Sequence, residues 1–247
     1  MLMINLINYL PSLLLSDVRN LLGMNERFSL SDRMNSLRIT KMELGPIGTN
    51  AYLIWEDGGT DAVLIDAPPN SRETVESYLA EESLELKELW LTHGHWDHMA
   101  GAFELLKGDI SVIGHRADKM LFEEPGVMST FAMPGMDFEP VSITKWVEEG
   151  DTLNLFGRKV DVFHCPGHCP GNIIFWVQEE KVCFVGDVIF EGSVGRADLP
   201  GGDFETLKHS IQTKVYKLPE NTEICPGHGG NTTVGRERRN NPFVRPL

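Results

Sequence analysis

At 247 residues the chain can bury one substantial core, and its 41% apolar and 23% charged content are those of an ordinary globular protein. A formal net charge of −14 argues against a nucleic-acid binder, which needs clustered Lys and Arg, although bound divalent ions would still draw an anionic substrate. The four cysteines, Cys165, Cys169, Cys183 and Cys225, have no framework spacing, so reduced thiols in a cytoplasmic protein are expected rather than a disulfide scaffold.

Residues 1–33 read as an N-terminal extension and residues 34–247 as one domain without an internal linker. Residues 2–15 are apolar but are interrupted by Asn5, Asn8, Pro11 and Ser12, and no basic segment precedes them. A short amphipathic helix is expected there, rather than a signal peptide or a membrane span. From Leu37 to Leu44 the chain alternates with period two, Gly45-Pro46-Ile47-Gly48 breaks it, and 50–55 resumes as a second strand. Asp57-Gly58-Gly59 marks a hairpin, leading to strand 62–65 and Asp66. A helix over 72–82 with Ser71 as N-cap follows, then strand 86–91, helix 97–107, strand 110–113 and helix 115–123. The segment 124–140, with its prolines, glycines and Met128, Met133 and Met136, reads as a loop. Plain packing is the simpler use of those methionines, and an adaptable pocket wall the alternative. Short strands near 152–156, 159–164, 172–177, 181–185 and 223–225, a helix over 203–215 and another from about Thr232 complete the chain. Strands in groups, alternating with helices in both halves, predict a layered protein of mostly antiparallel strands.

The chemistry is concentrated in Thr92-His93-Gly94-His95-Trp96-Asp97-His98, directly after an apolar strand. Three imidazoles and a carboxylate released from a strand end can converge on metal, and mixed nitrogen and oxygen donors suit zinc, iron or manganese. His95 and Asp97 lie two apart and Asp97 adjoins His98, so a single ion would take all four only with strain, whereas two ions share them readily. Further ligands also end strands. His168 and His228 each follow a Cys-Pro-Gly turn, and Asp187 follows the apolar run Cys183-Phe184-Val185-Gly186. Five histidines and two aspartates then divide into one ion held by His93, His95 and His168 and a second by Asp97, His98 and His228, with Asp187 bridging. Asp66, at a strand end, reads equally as a turn residue or as a partner orienting a ligand histidine. The cysteines beside His168 and His228 are expected to be buried fillers rather than reactive groups.

With Thr-His-x-His-x-Asp-His, Pro-Gly-His, Gly-Asp and a second Pro-Gly-His in that order, residues 37–247 resemble the metallo-β-lactamase superfamily. The stretch Phe190–Asp203, the tail Thr232–Gly235 and Arg238–Phe243 make it most similar to the glyoxalase II type, in short forms without a C-terminal helical domain. The resemblance implies an α+β fold, an αβ/βα sandwich of two mixed sheets flanked by helices, with two divalent metals (zinc foremost) at one edge. It also implies hydrolysis of a small-molecule thioester such as S-lactoylglutathione, with Asp97 and Asp187 catalytic as well as metal-binding. Arg196 in its Gly-rich loop is the implied substrate contact. Neither a nucleic-acid partner nor a membrane is implied. Two rivals share the fold: a persulfide dioxygenase using one iron, and a lactone or lactam hydrolase using the same two ions.

Overall fold

The computed structural model describes residues 35–247 apart from Gly135 and Asp137; the helix expected within residues 1–33 lies outside that range. One sheet runs in the order of the chain: β1 (Leu37–Leu44), β2 (Thr49–Glu56), β3 (Asp61–Ile65), β4 (Glu85–Trp90), β5 (Ser111–His115) and β6 (Lys145–Val147). Its first two pairings are antiparallel and its last three parallel. The second sheet includes β7 (Thr152–Leu155), β8 (Arg158–His164), β9 (Ile173–Val177) and β10 (Val182–Gly186). A two-stranded hairpin of β11 (Ile189–Phe190) and β12 (Ser193–Val194) intervenes before β13 (Glu223–Pro226) and β14 (Thr232–Thr233) complete that second sheet. Its order is β14-β13-β10-β9-β8-β7, antiparallel except where β13 runs parallel to β10.

Period-two alternation explains how the layers stack. On β2 to β5, Leu53, Leu64, Leu89 and Val112 face outward into a cluster with Val75 and Phe122. Ile54, Val63, Ile65, Trp90 and Ile113 face inward against Val160, Val162, Ile173, Phe175 and Phe184 of the second sheet. The far face of that sheet carries Ile174, Cys183, Val185 and Ile224, covered by Leu207, Ile211 and Val234. The covering helices are α1 (Arg72–Glu81), α2 (Trp96–Met99), α3 (Ala102–Leu105) and α4 (Lys119–Glu123) along the first half of the chain. The second half supplies α5 (Phe204–Thr213) and α6 (Val234–Asn240). The result is the helix–sheet–sheet–helix sandwich that the family resemblance implies. Each fully buried Leu, Ile or Phe contributes about 1.5–3 kcal/mol relative to exposure, so all three apolar layers stabilise the sandwich.

Three local expectations need correcting. The helix expected over 97–107 is broken into α2 and α3, because the Ala67 backbone accepts from Gly101 N–H at 2.9 Å and donates to His98 C=O at 2.7 Å. Gly101 stands where a Cβ would lie 2.1 Å from the Pro68 carbonyl oxygen, so only glycine fits the crossing. The segment 124–140 is not wholly irregular, since Pro125–Phe131 winds into 3-10 turns that bury Met128. Ser71 does precede α1, but its hydroxyl makes no cap bond and is buried without a partner.

Candidate metal centre

Four strand ends on one edge of the sandwich deliver the seven candidate ligands. The loop after β4 carries His93, His95, Asp97 and His98, the last two on α2; the turn after β8 carries His168; Asp187 directly follows β10, and His228 lies in the turn after β13. Because β10 and β13 are parallel neighbours, with Gly186 opposite Pro226, Asp187 and His228 leave the sheet side by side. Both Pro-Gly turns are held closely. Gly167 has φ +128°, and a Cβ there would meet Leu207 N at 2.1 Å; at Gly227 it would meet Asp187 Oδ1 at 2.2 Å and His98 Cε1 at 2.6 Å. The Asn50 amide (2.9 Å) and the Tyr52 hydroxyl (2.7 Å) donate to the Pro226 carbonyl and fix the second turn to β2.

The sequence-selected residues converge. His168 Nε2 lies 2.8 Å from His95 Nδ1 and 3.2 Å from His93 Nε2, so three ring nitrogens face one another. On the other side, His98 Nε2 lies 3.3 Å from both Asp97 Oδ2 and Asp187 Oδ1, and His228 Nε2 is 3.2 Å from Asp97 Oδ2. Asp187 Oδ2 is 3.5 Å from His168 Nε2 and 3.6 Å from His228 Nε2, which sets that carboxylate between the two groups. Ligand atoms of His93, His95 and His168 all fall within 4.8 Å of one another, as do those of Asp97, His98 and His228, and of His93, His98 and Asp187.

Four of the remaining ring nitrogens are anchored, while His95 Nε2 is buried without a partner. His98 Nδ1 is 2.7 Å from Asp66 Oδ2, the orienting role foreseen as one of two for Asp66, whose carboxylate also accepts from the Thr92 backbone N–H and hydroxyl at 2.8 Å each. His168 Nδ1 meets the Arg196 carbonyl at 2.7 Å, His228 Nδ1 the Gly48 carbonyl at 3.2 Å, and His93 Nδ1 the Thr92 hydroxyl at 3.0 Å. These contacts present the other nitrogen of each ring inward. Thr49 Oγ1 donates to Asp97 Oδ2 at 3.0 Å.

Sequence reasoning missed Asp118. This buried carboxylate accepts from Gly94 N–H at 2.9 Å, Gly171 N–H at 2.6 Å and the Cys169 thiol at 3.2 Å, and so ties the first ligand loop to the second. No motif marks it; Asp118 is the one buried residue of the short 3-10 turn Arg116–Asp118. The cysteines are the buried fillers expected, with burial pushing the Cys165, Cys169 and Cys225 thiols well above their ordinary range.

The electrostatics suit cations. Burial, aided by its neighbouring histidines, holds the His93 ring well below the usual imidazole value, and burial beside His168 brings His95 down to about 3. Both rings are therefore neutral lone-pair donors at ordinary pH. Burial also opposes charge on His98, but Asp97, Asp187 and Asp66 outweigh it and carry its pKa well above normal. Asp97 and Asp187 are held ionised, their burial overcome chiefly by His98. His98 Nε2 and Asp187 Oδ1 are buried without a hydrogen bond. Leaving such a group unsatisfied costs about 1–3 kcal/mol, and a cation shared by the two would satisfy both. The residues present thus fit a pair of divalent metals.

A cavity of about 640 Å³ opens onto this cluster, lined by His95, Asp97, His168, Asp187 and His228. Trp96, Met128, Phe131 and Met133 line it as well, so the methionine segment both packs and borders a pocket. Arg196 also lines it, its guanidinium bound bidentately to Asp198 at 2.7 and 2.8 Å.

The model of the metallo-beta-lactamase superfamily matches residues 44–228. The chain belongs to that superfamily. It is 42% identical over 200 residues to hydroxyacylglutathione hydrolase GloC of Haemophilus influenzae, covering 79% of this chain and 92% of the relative. It is 33% identical over 205 residues to the probable metallo-hydrolase YqgX of Bacillus subtilis, covering 83% and 96%. Among solved structures, the BLEG-1 B3 metallo-beta-lactamase superposes with a TM-score of 0.78 at 34% identity, covering 84% of this chain and 99% of that one. TTHA1623 in a di-iron-bound form gives 0.73 at 37% identity, covering 83% and 100%. The protein is a glyoxalase II-like metallo-hydrolase of this superfamily, whose members bind divalent metals. No helix among the described residues is long and apolar enough to cross a membrane.

Proposed function

We propose that the protein is a two-metal thioester hydrolase of the hydroxyacylglutathione hydrolase kind, acting in the cytoplasm on small molecules such as S-lactoylglutathione. The observation that carries this reading is the pairing of two three-residue clusters about Asp187, opening onto one cavity. The name of the 42% identical relative supports the substrate class. His93, His95 and His168 would hold one ion and Asp97, His98 and His228 the other, with Asp187 between them. Such ions, zinc foremost, lower the pKa of water towards neutrality and offset negative charge on a carbonyl oxygen when bound.

The side chains have distinct tasks. Asp97, fixed by Thr49, offers a carboxylate oxygen at the cavity wall that can accept a hydrogen bond from the attacking water and orient it. Arg196 and its loop border the substrate, and the same loop steadies His168 through the Arg196 carbonyl. In the net reaction, water oxygen adds to the acyl carbon and the carbon–sulfur bond breaks. Sulfur leaves with the bonding pair and takes up a proton, giving thiol and carboxylic acid. A thiolate is a good leaving group, so no strong general acid is needed. A one-iron dioxygenase would leave the assembled Asp97, His98 and His228 group without a task, which favours hydrolysis.

The deciding experiment reconstitutes the protein with zinc, iron or manganese and assays S-lactoylglutathione beside a non-glutathione thioester, with metal content measured in parallel. Hydrolysis accompanied by two equivalents of metal is expected. One iron with oxygen uptake on glutathione persulfide would overturn the reading, and lactam turnover without thioester turnover would replace it with that of the B3 neighbour.

A further inference from the structure

The cavity beside the metal cluster has a lining that the chemistry at the cluster does not require. Besides the candidate ligands it includes the large apolar side chains of Trp96, Met128, Phe131, Met133, Phe190 and Leu199. Phe131 and Met133 remain 43% and 47% exposed, so large apolar groups stand open to solvent beside a site built from charged residues. Side chains so placed, next to a reactive centre, mark a surface meant to be covered by a ligand. Unbranched thioether side chains also adjust to differing shapes.

The charges point the same way. Among the described lining residues Arg196 is the one Lys or Arg, and Asp198 already takes its Nε and Nη2 donors and offsets its charge. A glutathione thioester carries two carboxylates, and each would need a cation or a set of free donors. The Nη1 edge of Arg196 is left for one carboxylate at most, its charge is already offset by Asp198, and the described lining holds no second Lys or Arg for the other.

We propose that the preferred substrate of this site is an uncharged thioester whose acyl group is an apolar chain or ring seated against Met128, Phe131 and Met133. The inference rests on the thioesterase reading above and narrows it, placing S-lactoylglutathione among the substrates accepted rather than the one best fitted. Binding then follows apolar area, and each methylene that becomes buried raises affinity by about fourfold until the wall is filled.

The test has a binding arm and a kinetic arm, both on the full-length chain. In the first, non-hydrolysable S-alkyl thioethers of N-acetylcysteamine, from ethyl to octyl, are titrated calorimetrically into metal-free and zinc-loaded protein. Affinity is expected to climb about two- to fourfold per methylene to a plateau, with a negative heat-capacity change. The double variant Phe131→Ser, Met133→Ser, at half-exposed positions, is expected to flatten that climb. The series on the unaltered protein is decisive even if the variant fails to fold. In the second arm, kcat/KM is compared for hexanoyl- and lactoyl-N-acetylcysteamine and S-lactoylglutathione at low and high salt. The hexanoyl ester is expected to lead lactoyl on the same thiol by about tenfold or more. Its rate should change less than about twofold with salt. A flat chain-length series, or a tenfold preference for S-lactoylglutathione that salt abolishes, would overturn the inference while leaving the thioesterase reading intact. A climbing series without turnover of any thioester would overturn that reading and the inference with it.

Discussion

Asp66 has φ 59°, a left-handed conformation that a side chain bearing a Cβ adopts only when its surroundings hold it there. Here the carboxylate is held by the Thr92 backbone and hydroxyl, and it in turn holds His98 Nδ1 at 2.7 Å. Asp66→Ala is expected to weaken metal retention by about 10–100-fold, measured by competition with a chromophoric chelator, with most of kcat restored by excess metal. Unchanged retention would show that His98 needs no such partner. The same ring makes a second prediction. Its carboxylate neighbours raise its pKa well above the ordinary value, so at neutral pH the metal-free ring keeps a proton that an ion must displace. His93 and His95, both lowered, carry none. Metal uptake should therefore release protons, and apparent affinity should rise with pH. Calorimetry in buffers of differing ionisation heat reads this directly, and uptake without proton release would contradict it. The ligand residues were legible because each is a donor placed just past an apolar run. Asp118 was not, since what it binds is backbone N–H, which every residue has and no sequence pattern records.

At the level of elements, the site depends on strand ends staying in register with one another. Strands that stop at Gly186 and Pro226 and turns built on Pro-Gly were visible as composition, and the structure places them where that composition suggested. The break between α2 and α3 was not visible, because it is imposed by the Ala67–Pro68 backbone, some thirty residues earlier in the chain. β6 and the β11–β12 hairpin were also missed, being too short at three and two residues per strand for alternation to show. Asp118 is the tie between two of these ends. Asp118→Ala would orphan the buried Gly94 and Gly171 N–H groups, at a cost of about 1–3 kcal/mol each. Chemical denaturation should register the loss. Metal affinity should fall as well, because His95 and His168 lie on the two loops it joins. Asp118→Asn, which keeps one acceptor, should lie between the two. A variant that loses stability but retains metal at full affinity would make the tie purely structural.

For the whole molecule, the question is how much of the chain the site requires. Residues 35–247 hold all seven candidate ligands, the Asp66 and Asp118 anchors, and the inter-sheet and two outer apolar clusters. Every stabilising layer described for the sandwich is thus formed within that span, and the family model also matches inside it, over 44–228. A chain started at Met34 is therefore expected to fold cooperatively, bind the same number of metal equivalents and keep kcat/KM within about twofold of the full-length protein. Metal binding to the folded form should give both chains the same added stability, about 4 kcal/mol per site, or about 8 kcal/mol for two, at a free-ion concentration a thousand times Kd. Paired denaturation curves with and without chelator compare the two chains on one scale. Equal metal-dependent increments with an unequal baseline would assign residues 1–33 a stabilising role outside the site. A smaller increment in the shortened chain would mean that those residues help to hold the metals, and the single-domain boundary at Met34 would have to be abandoned.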